Sequence, residues 1–179
     1  NINYWCTGRL NVVDEDLIKI MKRSGCAYIS YGIEQFDNNA LKAMNKKLTE
    51  DQIVKGIEIT QKENIYIGFN IIFGNIGDTR QSLKKSLKLL EKYNDYSLLR
   101  VIRPVTPYPG SPLYYVAIEK GLITGPEDFY KLHNNVELLT VNFTDIPDDE
   151  FYQLMYDANR KIIEDYYKHQ ISEMTESFE

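Results

Sequence analysis

The sequence predicts an α/β protein built on a parallel sheet of about four strands with covering helices, and three observations predict it. Apolar, strand-like runs alternate with amphipathic helical stretches over the first hundred or so residues. The strand starts, near positions 3, 26, 65 and 98, lie 23, 39 and 33 residues apart, which leaves room for a helix in each connection and is too long for hairpins. The third run, Ile65 to Phe73, is almost continuously apolar, as a strand covered on both faces requires.

Each element has its own signal. Asn3 to Cys6 has an aromatic, strand-like core, and Thr7-Gly8-Arg9 follows as a loop. Asp14 is placed to cap a helix running to Ser24, with Leu17, Ile18, Ile20 and Met21 on its apolar side and Gly25 as its stop. Cys26 to Ile33 reads as a strand ending in the polar pair Glu34 and Gln35. Asn39 to Asn45 is a short helix. Thr49 with Gln52 has the capping-box spacing for a second, which carries Ile53, Ile57 and Thr60 on one side and ends near Glu63. After the third strand comes the turn Gly74-Asn75-Ile76-Gly77, and Asp78 with Gln81 repeats the capping-box spacing before a helix carrying Leu83, Leu87 and Leu90. Leu98 to Val105 is expected as the fourth strand.

Beyond residue 105 the pattern changes. Pro104, Pro107, Pro109 and Pro112 with Gly110 make a rigid extended loop, a short helix starts near Leu113, and Gly125-Pro126 opens another helical turn. A long helix after Pro147 places Phe151, Leu154, Met155, Ala158 and Ile162 on one side, as a cap on the sheet or an element of a dimer. The expected division is residues 1–112 as the strand-and-helix body and residues 113–179 as a mostly helical extension, packed on that body or on a partner chain.

Composition narrows the function. The 179 residues are 43% hydrophobic and 26% charged with a net charge of -5, which suits a soluble globular domain and gives no general attraction to nucleic acid or to anionic membranes. No run is long enough for a membrane span, no signal-peptide pattern opens the chain, and Cys6 and Cys26 form no Cys-x-x-Cys pair, so a cytoplasmic location is expected. The absence of an initiating Met before a strand-like start suits a fragment of a longer polypeptide. His133 and His169 have no local partners, so no metal site is expected. Residues 1–90 carry a net +3 and the remainder a net -8, which favours the first part for an anionic ligand.

Parallel sheets bind ligands beyond the carboxyl ends of their strands. That rule selects Gly8 and Arg9; Gly32, Glu34 and Gln35; Asn70, Phe73, Gly74 and Asn75; and Arg103, Thr106 and Tyr108. Glu34 can accept from a ligand diol or form a salt bridge with Arg9 or Arg103. Asn70, an amide inside an apolar strand, needs a partner if buried, either a neighbouring loop or a ligand. Arg103, nearer the strand end than Arg100, suits a ligand carboxylate. Tyr108 is either an aromatic wall of the pocket or ordinary loop packing.

Three motifs in order, CAYISYGIE from Cys26 to Glu34, GFNIIFGNIGDT from Gly68 to Thr79 and RPVTPYPGSPL from Arg103 to Leu113, resemble the later strands of radical S-adenosylmethionine enzymes. The resemblance covers nearly the whole chain. It is strongest to the branch that often carries an upstream cobalamin-binding domain, including anaerobic magnesium-protoporphyrin ester cyclase-like and methyltransferase-like proteins. It implies a truncated partial TIM-type (β/α)6 barrel, with the four strands here as the third to sixth. It also implies that Glu34 holds the ribose hydroxyls of S-adenosylmethionine, that Asn70, Phe73, Gly74 and Asn75 line the adenosine and methionyl portions, and that Arg103 walls the adenine and substrate side. In this family a [4Fe-4S] cluster donates an electron to S-adenosylmethionine, releasing methionine and a 5'-deoxyadenosyl radical that abstracts hydrogen from a small-molecule substrate, for methyl transfer, cyclisation or related chemistry. The family's Cys-x-x-x-Cys-x-x-Cys loop is missing here, which places the cluster loop, two strands and any cobalamin domain in an upstream part of the same polypeptide. The fragment alone is then expected to be inactive, and the sheet edge exposed by truncation invites a homo-oligomer. The alternative is a non-catalytic ligand-binding or regulatory module that keeps the barrel without the cluster.

Overall fold

Each crossover returns the chain to the strand just made, so the sheet grows in chain order. In the computed structural model, which describes residues 2–132 and 141–176, the strands are β1 (Tyr4–Gly8), β2 (Cys26–Glu34), β3 (Tyr66–Phe73) and β4 (Ile102–Pro104). All neighbours are parallel, in the order β1-β2-β3-β4. Three connections carry helices: α1 (Glu15–Arg23), then α2 (Asn38–Ala43) with α3 (Glu50–Lys62), then α4 (Arg80–Tyr93). This is the partial barrel arrangement, with α5 (Pro112–Glu119), α6 (Pro126–Leu132) and α7 (Asp148–Glu176) as the C-terminal helical part. Among the described residues no helix is long and apolar enough to cross a membrane. His133 lies outside the described residues; His169 stacks on Tyr96 with ring centroids 4.1 Å apart.

The helix starts follow from local chemistry. Asp14 accepts from the Leu17 N–H at 2.8 Å, and Thr49 with Gln52 forms a full capping box. The box expected at Asp78 and Gln81 instead lies one residue later: Thr79 accepts from the Ser82 N–H, and the Ser82 hydroxyl accepts from the Thr79 N–H. Asp78 cannot cap because its carboxylate is committed to the preceding loop.

Alternation along the strands makes two different faces. Ile29, Tyr31 and Ile33 of β2 and Ile67, Phe69, Ile71 and Phe73 of β3 point to the helix-covered side and are buried. Burying each such side chain is worth about 1.5–3 kcal/mol, so this face sets the register. The long helix α7 belongs to the same core: Phe151, Met155, Ala158 and Ile162 pack into it, with the Phe151 ring stacked on Phe73 at 5.5 Å. The helices α5 and α6 build a smaller core with Val105, Tyr114, Ala117, Ile123 and Phe129. The opposite, concave face carries Trp5, Tyr28, Ser30, Gly32, Glu34, Tyr66, Gly68, Asn70 and Arg103, which are exposed or half-buried apart from Gly68.

The fourth strand is shorter than its apolar run suggests. Only Ile102 to Pro104 pairs with β3, and residues 98–101 peel away. Side chains take over the pairing they abandon: the Ile67 N–H donates to Asp95 Oδ2 at 3.1 Å, and the Arg100 guanidinium donates to the Ile67 carbonyl and to Asp95. The outer edge of β4 is held the same way. The Asn159 amide of α7 accepts from the Ile102 N–H at 2.8 Å and donates to its carbonyl at 3.0 Å.

Burial opposes ionisation of Asp95, but the Ser97 hydroxyl, the Arg100 guanidinium and the Ile67 N–H outweigh it and hold its pKa below the usual aspartate value. A depressed carboxylate stabilises the fold above its unfolded pKa, and that contribution is lost as pH falls through the folded value. Arg100→Met should destabilise the protein by about 3 kcal/mol, because it strands a partly buried charge. Asp95→Asn should flatten the acid-side fall in stability. Denaturant titrations at neutral pH and in steps below about pH 4 check both, and unchanged midpoints would show that the pair carries no part of the sheet.

Candidate functional site

The carboxyl end of β2 is shaped by a bulge. Register shifts between Gly32 and Glu34, and Glu34 takes a left-handed backbone conformation with φ 66°, costly for a residue with a side chain. The bend turns the Glu34 carboxylate back over the concave face, where Gly32 makes room for it. A Cβ at Gly32 would stand 3.1 Å from Glu34 Oε1 and 3.6 Å from Lys46 Nζ. The carboxylate accepts from Lys46 Nζ at 2.9 Å, and both side chains keep a little over a quarter of their surface exposed.

Glu34 therefore has a salt bridge, but with neither arginine considered from the sequence. Lys46 follows Asn45, itself left-handed with φ 54°, in the turn between α2 and α3. That turn belongs to the connection leaving the carboxyl end of β2, so the strand-end rule extended over the whole connection selects Lys46 as well.

Glu34, Asn70 and Arg103 come together. They line one cleft of about 340 Å³ on the concave face, together with Gly68, Ile72 and the peeled segment Leu98 to Val101. Asn70 is exposed, and its Nδ2 donates to the Ser30 hydroxyl at 2.9 Å, so its protein partner is the adjacent strand and not a loop. Arg103 is exposed at the cleft and engaged with its surroundings. Arg100, which the expected fourth strand included, sits before the observed strand, buried, with its guanidinium carbon 4.9 Å from the Phe69 ring centroid.

The other selected residues do not line that cleft. The Phe73 ring is fully buried against Phe151, on the helix-covered face, because strand alternation turns it away from Asn70 and Arg103. Gly74, with φ 102°, approaches Phe151 and not the cleft: a Cβ there would stand 2.8 Å from Phe151 Cζ. Asn75 closes its own turn, its side chain accepting from the Ile76 N–H at 2.8 Å. Arg9 is exposed beyond β1, where it starts the 3-10 turn Leu10–Val12. Tyr108 is half exposed and its ring lies 6.0 Å from Phe129, which makes it part of the packing of α6.

A buried polar cluster joins the loops that follow β2 and β3. Asp78 Oδ2 accepts from the Gly74 and Asn75 N–H groups, each at 3.0 Å, and Asp78 Oδ1 accepts from Gln35 Nε2 at 2.8 Å. Burial pushes the Asp78 pKa up, against the pull of these hydrogen bonds and that of Ser82. Chemically the cleft offers a carboxylate for hydroxyl groups, an amide for hydrogen-bonding edges and a guanidinium for an anion. Among the described residues no group of three His, Cys, Asp or Glu can hold a metal ion; Cys6 and Cys26 lie on adjacent strands with free thiols, and burial, then the neighbouring Cys26, raises the pKa of Cys6.

Residues 4–90 match the family model described as the radical SAM superfamily. An uncharacterized methyltransferase of Pyrococcus horikoshii is 27% identical over 124 residues, covering 69% of this chain and 26% of that protein. The bacteriochlorophyllide d C-8(2)-methyltransferase of Chlorobaculum tepidum is 27% identical over 113 residues, covering 62% of this chain and 25% of that protein. The chain thus spans about a quarter of the length of these curated relatives. Among solved structures, the radical S-adenosylmethionine methyltransferase TsrM of Kitasatospora setae superposes with a TM-score of 0.55 at 16% identity, over 70% of this chain and 24% of TsrM. The archaeal Elp3 of Methanocaldococcus infernus gives 0.55 at 16% identity, over 94% of this chain and 42% of that one. Residues 4–90, just under half of the chain, are thus similar to the radical SAM superfamily, and the parallel strand order is that of a partial barrel.

Proposed function

We propose that this chain is the S-adenosylmethionine-binding wall of a larger cytoplasmic radical SAM enzyme, with Glu34 as the ribose ligand. The observation that carries the reading is the bulged end of β2, which holds the Glu34 carboxylate over the concave face in one cleft with Asn70 and Arg103. A vicinal diol needs paired acceptors at fixed geometry, and a carboxylate on a rigid strand end supplies them. Asn70 offers an amide to the adenosine portion and Arg103 a cation to a carboxylate. Lys46 holds Glu34 until the ligand's hydroxyls share it.

The fit to the iron-sulfur cluster differs. Two free cysteines on neighbouring strands do not make a ligand set, so the cluster ligands belong to an upstream part of the same polypeptide. When bound with S-adenosylmethionine, the cluster supplies the electron that starts radical chemistry. The relatives named as methyltransferases favour methyl transfer on a small-molecule substrate, and the TsrM structure described with cobalamin bound favours a cobalamin-associated parent. The outer edge of β1 pairs with no strand among the described residues, and we assign it to that same upstream part.

Three outcomes are expected. In the full-length protein, Glu34→Gln removes the charge that strengthens one or two hydrogen bonds of about 1.5–3 kcal/mol each, so affinity for S-adenosylmethionine should fall at least about tenfold with iron content unchanged. The partly exposed pair with Lys46 is worth about 1 kcal/mol, so the melting temperature should hardly move; a lower melting temperature with unchanged affinity would make Glu34 a structural carboxylate. The 179-residue chain alone, supplied with iron and sulfide, should hold no stoichiometric cluster, and about four irons per chain with charge-transfer absorption would refute this. The same chain should self-associate through the β1 edge, which light scattering after size exclusion checks; a monomer at high concentration counts against it.

A further inference from the structure

We infer that Gln35 is a positioning residue for the cleft: its side chain couples the loop after β2, which follows Glu34, to the loop after β3, which Gly74 and Asn75 open, so that the ends of the two strands carrying Glu34 and Asn70 are set as one unit. The inference rests on the reading of the cleft given above.

Gln35 is fully buried directly after Glu34 in the chain. Its Nε2 donates to Asp78 Oδ1 at 2.8 Å, and its Oε1 accepts from the Phe36 N–H at 2.9 Å and from the Ser86 hydroxyl. The second Asp78 oxygen holds the Gly74 and Asn75 amides. A continuous set of bonds therefore runs from the backbone beside Glu34, through one amide and one carboxylate, to the backbone that follows Phe73. Only three residues separate Gly74 from Asn70, and Glu34 stays in its left-handed conformation only if its surroundings hold it there.

The chemistry asks for an amide. The position needs a donor toward Asp78 and an acceptor toward Phe36 and Ser86, all without solvent. A glutamate would set a second carboxylate against Asp78, a lysine would have no acceptor, and an apolar side chain would leave the Phe36 N–H and the Asp78 carboxylate each short of a partner. Glutamine meets every requirement with a neutral group, which is what a buried coupling element beside a charged ligand site requires.

The test uses the full-length protein with its cluster in place. Gln35→Met keeps the length of the side chain and removes both polar groups. Amide exchange at Gly74 and Asn75 in the ligand-free protein should quicken at least about tenfold, and affinity for S-adenosylmethionine should fall by a similar factor. Glu34→Gln should also cost less affinity in the Gln35→Met background than alone, since the carboxylate is already displaced. Unchanged exchange, faster exchange with unchanged affinity, or two substitutions that multiply independently would each overturn the inference. Should Gln35→Met not fold, Ser86→Ala weakens one side of the same amide and should give the same pattern at about threefold. A wild-type protein that binds no S-adenosylmethionine overturns the reading of the cleft and the ligand half of this inference, while the exchange rates still decide whether Gln35 couples the two loops.

Discussion

The Asp78 carboxylate is the fixed point of the strand ends. It is 4% exposed, has no cationic partner among the described residues, and is held by two backbone amides, the Gln35 amide and the Ser82 hydroxyl. Neutral donors converging on one ion can replace water only if none is missing, so the loop Gly74 to Gly77, the start of α4 and the end of β2 are fixed together. The displaced capping box follows from it: with Asp78 turned inward, Thr79 must start the helix.

A second theme is that side chains finish what strands leave undone. Residues 98–101 leave β3 early, and an ion pair takes the Ile67 backbone groups, which opens the cleft between the peeled segment and the concave face. Had β4 continued to Leu98, its backbone would have filled the space now lined by Leu98 to Val101. The short strand is thus the source of one wall of the candidate site.

Most of the fold was legible because strand and helix periods differ and the covered face of β3 is almost purely apolar. Capping chemistry located α1 and α3 for the same reason: Asp14, Thr49 and Gln52 act within one turn of chain. What was not legible depends on partners distant in sequence. The loss of strand at Leu98 rests on Ile67, and the true partner of Glu34, Lys46, is reached only through a left-handed turn at Asn45. Choosing site residues by strand end selected Glu34, Asn70 and Arg103, which line one cleft. It also selected Phe73 and Gly74, whose direction is set by alternation and by the later helix α7, features that strand-end position does not encode.

The Asn159 contact on β4 has a consequence for the order in which the molecule is made. It joins residues 57 apart, so the outer edge of β4 has no cover from this side chain until the ribosome has delivered α7. At about 5–20 residues per second that interval is about 3–11 seconds, long enough for an unsealed strand edge to meet a stray chain. Three residues of β4, with a proline at its end, present a poor template in the meantime. The brevity of the last strand and the late arrival of its seal are therefore complementary: the edge that waits longest is also the one least able to recruit a wrong neighbour.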